Sequence, residues 1–184
     1  MKSLIKHLIE VEEHVLDAFR GGRIDDLKGK VESVARKLGR AGGATQAGKI
    51  GELVYCQTDA EDVFVASTAF KDTEKEGKAL MEYARMLPEL SERFGFRGDD
   101  AEICMRKLVK HATCEEQGKD VLFGFVASRK GFLCSMTYWG DRINVLEGDA
   151  LPINEIADLY EETPLDEGGE TVGGKIIFAL EAKS

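Results

Sequence analysis

The amino-acid sequence predicts an α+β fold, with an N-terminal helical hairpin followed by a mainly antiparallel sheet flanked by helices. The main observation is a switch of hydrophobic period. Apolar residues in the first forty positions recur at helical spacing, whereas those in 120–147 alternate at strand spacing on a run dense in aromatics. Composition agrees: the 184 residues are 43% hydrophobic and 32% charged, a globular balance for one domain of ordinary size.

Leu4, Leu8, Val11 and Val15 form a 4-3-4 stripe, which predicts an amphipathic helix over about 3–20. Gly21-Gly22 ends it. Asp25 or Asp26 can cap a second helix with the stripe Leu27, Val31, Val34 and Leu38, closed by Gly42-Gly43. Both stripes are narrow, so each helix must pack on the body or on a second copy. This divides the chain into 1–42, a dimerisation or docking hairpin, and 43–184, an α+β domain.

Residues 41–51 read as a glycine-rich connector. Leu53–Gln57 and Val63–Phe70 read as strands. Thr73-x-x-Glu76 has the form of a capping box, and the helix it opens is broken or restarted at Pro88. Asp99-x-x-Glu102 opens a further helix to about Thr113, with Ala101, Cys104, Met105, Leu108 and Ala112 facing inward.

Asp120–Ser128 is apolar on both faces and therefore predicts a central strand. Arg129-Lys130-Gly131 is a turn with glycine available for positive φ. The return strand alternates Phe132, Cys134, Met136 and Tyr138 against Leu133, Ser135, Thr137 and Trp139. Gly140-Asp141 turns into a third strand over Arg142–Leu146. A short helix runs from Pro152 to Tyr160, residues 161–174 form an acidic mobile loop, and Lys175–Glu181 closes with a strand. This element order is loosely similar to that of the GAF, PAS and roadblock modules; only the order is shared, and fold does not fix function.

Net charge is −9, which argues against non-specific nucleic-acid binding. The charge is uneven. Residues 20–49 hold eight basic groups (Arg20, Arg23, Lys28, Lys30, Arg36, Lys37, Arg40, Lys49) against three acids, a local +5 that leaves −14 for the remainder. Such a segment suits a solvated helix face or an acidic partner. No stretch is long and apolar enough to cross a membrane, and the charged N-terminus lacks the apolar run of a signal peptide, so a cytoplasmic location is expected.

Several motifs tempt and fail. Gly43–Lys49 fits G-x-x-x-x-G-K, yet Ile50 stands where a phosphate loop needs Ser or Thr. Gly169–Lys175 repeats the pattern with Ile176 next and Glu170 against any phosphate. His7, Glu10 and His14 share a helix face, but the two histidines lie two turns apart, about 10 Å, too far to ligate one ion easily. His111 and Cys114 would make only half a zinc site. No C-x-x-C pair occurs among Cys56, Cys104, Cys114 and Cys134, which read as buried thiols. No metal is therefore expected, and the pattern names no cofactor.

A ligand pocket, if formed, is expected at Cys134, Met136, Tyr138, Trp139 and Arg142, on the aromatic strand and the turn that ends it. The competing description of that face is packed core. The functional expectation is a non-catalytic cytoplasmic sensor or regulatory module that binds a small ligand or a partner protein and dimerises through the N-terminal helices. One alternative is an enzyme assembled from scattered carboxylates or cysteines. Another is an adaptor docking an acidic partner through residues 20–49.

Overall fold

A computed structural model describes residues 44–50, 53–60, 63–71, 84–112, 120–141 and 152–183. The N-terminal hairpin, the helix expected from Thr73 and the strand expected over Arg142–Leu146 lie outside these residues. The described elements run β1 (Ala44–Ile50), β2 (Leu53–Ala60), β3 (Val63–Lys71), α1 (Leu87–Phe94), α2 (Gly98–Ala112), β4 (Asp120–Ser128), β5 (Gly131–Trp139), α3 (Ile153–Ile156), β6 (Leu159–Glu167) and β7 (Glu170–Glu181). The seven described strands form one sheet in the order β1-β2-β3-β4-β5-β7-β6. Every described pairing is antiparallel. The α+β class thus holds.

Helices α1 and α2 sit where their sequence signals put them. Pro88 occupies the first turn of α1, where its missing N–H is no loss. Gly95 ends α1 at φ 81°, and its N–H donates to the Ser91 carbonyl at 2.7 Å. After Phe96 the chain enters α2, with Asp99 and Asp100 in its first turn.

β4 and β5 are buried along nearly their whole length, as expected for central strands apolar on both faces. Gly131 closes their turn at φ 133°. A Cβ there would overlap the Leu180 carbonyl on β7, so the glycine serves the strand contact as well as the turn.

The two faces of the sheet differ in what packs on them. Val121, Phe123, Phe125 and Ala127 of β4 join Phe132, Cys134, Met136 and Tyr138 of β5 and Ile176, Phe178 and Leu180 of β7. Leu87, Leu90 and Phe94 of α1, Ala101, Cys104, Met105, Leu108 and Val109 of α2, and Ile153 and Ile156 of α3 close over this face. Phe132 is the hub, with ring centroids 5.1 Å from Phe96, 5.5 Å from Phe125 and 5.8 Å from Phe178. On the opposite face Leu122, Val126, Leu133, Ile177 and Ala179 are also buried but stand apart from that helix-covered cluster.

Three expectations change. Residues 44–50 are strand β1 rather than connector. The helix after Pro152 is a single turn, Ile153–Ile156, and the chain is extended again from Leu159. Residues 161–174 are not a loop. They form most of a β-ribbon, β6 and β7, joined at Gly168-Gly169 with φ 64° and 90°. A two-residue turn with both central residues at positive φ matches the twist of a hairpin, and only glycine adopts it without strain.

Candidate functional site

Cys134, Met136 and Tyr138 share the helix-covered face of β5, at 0%, 0% and 1% exposure. Trp139 follows them on the opposite face and is half-buried. Arg142 lies outside the described residues. The structure thus brings three of the expected ligand residues into one buried row and sets Trp139 across the sheet from them.

The end of this row is shaped by β7. Tyr138 pairs with Gly174 and Trp139 with Gly173. A Cβ on Gly174 would overlap the Tyr138 ring and hydroxyl, and one on Gly173 would overlap the Tyr138 carbonyl. The bare glycines let the tyrosine ring lie over the neighbouring strand. This gives Gly169–Lys175 a structural account: Gly168 and Gly169 make the turn, and Gly173 and Gly174 admit the aromatic strand. The first G-x-x-x-x-G-K segment lies largely in β1, antiparallel to β2, rather than in a loop before a helix.

Gly140 carries the chain out of β5 at φ 112°, and its N–H donates to the Val172 carbonyl at 2.7 Å. The turn bearing Asp141 is thereby fixed to the ribbon.

Two of the four thiols lie in the core. Cys104 and Cys134 form no disulfide and are fully buried. Burial pushes the Cys104 thiol up to about 12 from its ordinary 9.0, with the Asp100 carboxylate adding to the shift against the smaller opposing pull of Lys107 and Arg97. At neutral pH Cys104 is therefore a protonated thiol, the opposite of an activated nucleophile. Cys56 lies on β2. Cys114 lies outside the described residues, as do His7 and His14.

A polar cluster the sequence reading did not select joins the two helices to the sheet edge. The Arg97 guanidinium donates to Asp100 Oδ2 at 2.8 Å, to the Ile156 carbonyl at 3.0 Å and to Asp158 Oδ1 at 2.9 Å. Asp158 Oδ2 in turn accepts the Glu181 backbone N–H at 2.8 Å. The Asp158 N–H donates to the Ala179 carbonyl at 2.9 Å, and the Lys183 N–H to the Gly95 carbonyl at 3.0 Å. Arg97 thus serves as a latch between the α1–α2 corner, the α3–β6 corner and the end of β7. Its planar fork suits this because three acceptors converge on one group.

Among the residues whose exposure is described, the ribbon carries the most charge-biased surface. Leu159–Thr171 holds five acids (Glu161, Glu162, Asp166, Glu167, Glu170) and no base. All but Glu162 are exposed. β6 ends the described sheet order, and Pro164 at its middle and the acids along it are the features that keep a sheet edge from pairing with like edges. Among the described residues, no group of three or more His, Cys, Asp or Glu side chains is placed to hold a metal ion. No helix among them is long and apolar enough to cross a membrane.

No family model matches this chain, and no curated protein or solved structure is significantly similar to it.

Proposed function

We propose that the chain is a non-catalytic cytoplasmic regulatory or sensor module that binds a partner protein or a small ligand and dimerises through its N-terminal helices. The carrying observation is where its chemistry-bearing groups lie. Cys104 and Cys134 are interior and Cys104 is held protonated, while Arg97 is engaged by three acceptors. Among the residues whose exposure is described, the strongest surface feature is instead the acidic ribbon at the end of the described sheet. A ribbon of one charge sign steers association with an oppositely charged surface. The basic segment 20–49 of a second copy offers that charge. The reduced state of Cys104 and Cys134 inside the fold agrees with a reducing compartment. A small ligand, in this reading, enters between the helices and the buried Cys134, Met136 and Tyr138 face of β5, with Trp139 and Arg142 the other residues expected to meet it.

Native mass spectrometry of the full chain beside its denatured mass tests this. A dimer, or a bound mass released on denaturation, is the expected result, and the released mass identifies the ligand class. A bare monomer across the micromolar range counts against both dimerisation and a resident ligand.

A further inference from the structure

The sheet has two buried faces, and the described helices cover one of them. On the other, Leu122 is 3% exposed, Val126 0%, Leu133 0%, Ile177 9% and Ala179 0%. The register makes these a continuous patch. Val126 lies opposite Leu133, Leu133 opposite Ala179, and Ser135 opposite Ile177. Gly124 and Ser135 face each other at its centre, so the surface there is low and admits close approach. An apolar patch of this kind is buried only if a further layer lies on it.

Chain length narrows what that layer is. The internal segments outside the described residues, 51–52, 61–62, 72–83, 113–119 and 142–151, are 2, 2, 12, 7 and 10 residues long. Residues 1–43 are far longer and carry two apolar helical stripes that need a surface. An 18-residue helix is about 27 Å long and about 10 Å across. Two side by side span about 20 Å, which matches three to four strands at about 4.8 Å spacing and nine residues, or about 30 Å, in length. We propose that the N-terminal hairpin is the second layer of this domain. Its stripes Leu4/Leu8/Val11/Val15 and Leu27/Val31/Val34/Leu38 lie, in the same chain, on the Leu122–Val126–Leu133–Ile177–Ala179 face. This goes beyond the dimer reading. By the same helical period Arg36 and Arg40 fall on the side of the second helix away from its stripe, so the basic side remains open to an acidic partner or a second copy.

Photo-crosslinking in the full chain tests the assignment. A benzophenone amino acid is placed at Leu8 in one variant and at Val34 in another. Equal amounts of ¹⁵N-labelled and unlabelled protein are mixed, irradiated and mapped by mass spectrometry. The expected result is capture of peptides containing residues 122–137 or 175–181 within one isotopic form. Capture of other peptides from both positions, hybrid isotopic pairs, or no capture overturns the proposal, and hybrid pairs would place a second copy on this face. Leu133→Glu in the full chain gives an independent readout: trypsin should cut at Arg20–Arg40 at least ten-fold faster, whereas the exposed control Ile103→Glu should leave that rate unchanged. Equal rates in the two variants also overturn it. A dimer seen by native mass spectrometry with crosslinks confined to one isotopic form would sustain both readings; a monomer with the same crosslinks would sustain this one alone.

Discussion

Truncating Phe132 should remove more stability than any other single change on the helix-covered face. The side chain is fully buried and its ring meets three others, at 5.1, 5.5 and 5.8 Å between centroids. These rings come from the α1–α2 corner, β4 and β7, so the cavity left by Phe132→Ala would lie between three elements that cannot all close on it. A buried Phe→Ala change costs about 3–5 kcal/mol from lost transfer energy and the residual cavity. The three ring pairs place it toward the upper end. With a urea dependence of about 2 kcal/mol per molar, a 4 kcal/mol loss lowers the denaturation midpoint by about 2 M. Phe132→Leu retains most of the volume and should cost about 1–2 kcal/mol. The assay is urea denaturation followed by tryptophan fluorescence and by circular dichroism, so that coincident transitions support two-state analysis. A midpoint within about 0.5 M of the parent for Phe132→Ala would refute the hub. Phe123→Ala and Phe125→Ala, both on β4, should each cost about 3–5 kcal/mol, and an unchanged midpoint in either would count against β4 as a central strand.

Arg97→Ala should cost about 1–2 kcal/mol, discounted because the side chains of Arg97 and Asp158 are 30% and 43% exposed. Asp158→Asn should overlap with it, so the double variant is less destabilised than the sum, and simple additivity would argue against a latch. The Cys104 thiol is raised in the folded state, so its contribution is fully present below about pH 9 and is lost as pH rises toward about 12. Cys104→Ala should therefore flatten the alkaline fall in stability by up to about 1.4 kcal/mol per pH unit in that window, and an unchanged slope would contradict the assignment. Gly174→Ala should cost about 1–3 kcal/mol through overlap with Tyr138. The added Tyr138→Leu change should recover part of that loss, and a denaturation midpoint no higher in the double variant than in Gly174→Ala would mean the two side chains do not compete for space.

The central sheet was legible because its strands are buried on both faces. Val121–Ala127 and Phe132–Tyr138 are therefore predominantly apolar, with Ser135 and Thr137 the polar exceptions, and the glycine of their turn was where a positive φ was needed. The restart of α1 at Pro88 was legible for a local reason, since proline tolerates only the first turn of a helix. The strand β6 was not legible. An edge strand with mostly exposed side chains needs no apolar alternation, so its acids and Pro164 read as loop. The pair Gly168-Gly169 was the available hairpin signal. The Arg97 cluster was hidden because its partners Ile156 and Asp158 lie 59 and 61 positions away. Of the expected ligand residues, the shared face of Cys134, Met136 and Tyr138 follows from strand alternation alone. The glycine cradle under Tyr138 follows only from the β5–β7 register.

The N-terminal segment is asked to do two physically different things, and salt separates them. Its apolar stripes, if they lie on the Leu122–Ala179 face, are held by burial, and a salt such as sulfate strengthens burial. Its basic groups, if they meet the acidic ribbon of a second copy, are held by attraction between exposed charges, which is screened beyond about 8 Å at physiological ionic strength and beyond about 3 Å at 1 M salt. The ribbon holds five acids within thirteen residues, four of them exposed, so that attraction has little desolvation to strengthen it. Raising sodium sulfate should therefore split a dimer into monomers while leaving the same-chain crosslinks of residues 1–42 in place. If the dimer tightened with sulfate, apolar stripes would have to lie between copies, and the sheet face would need a different cover.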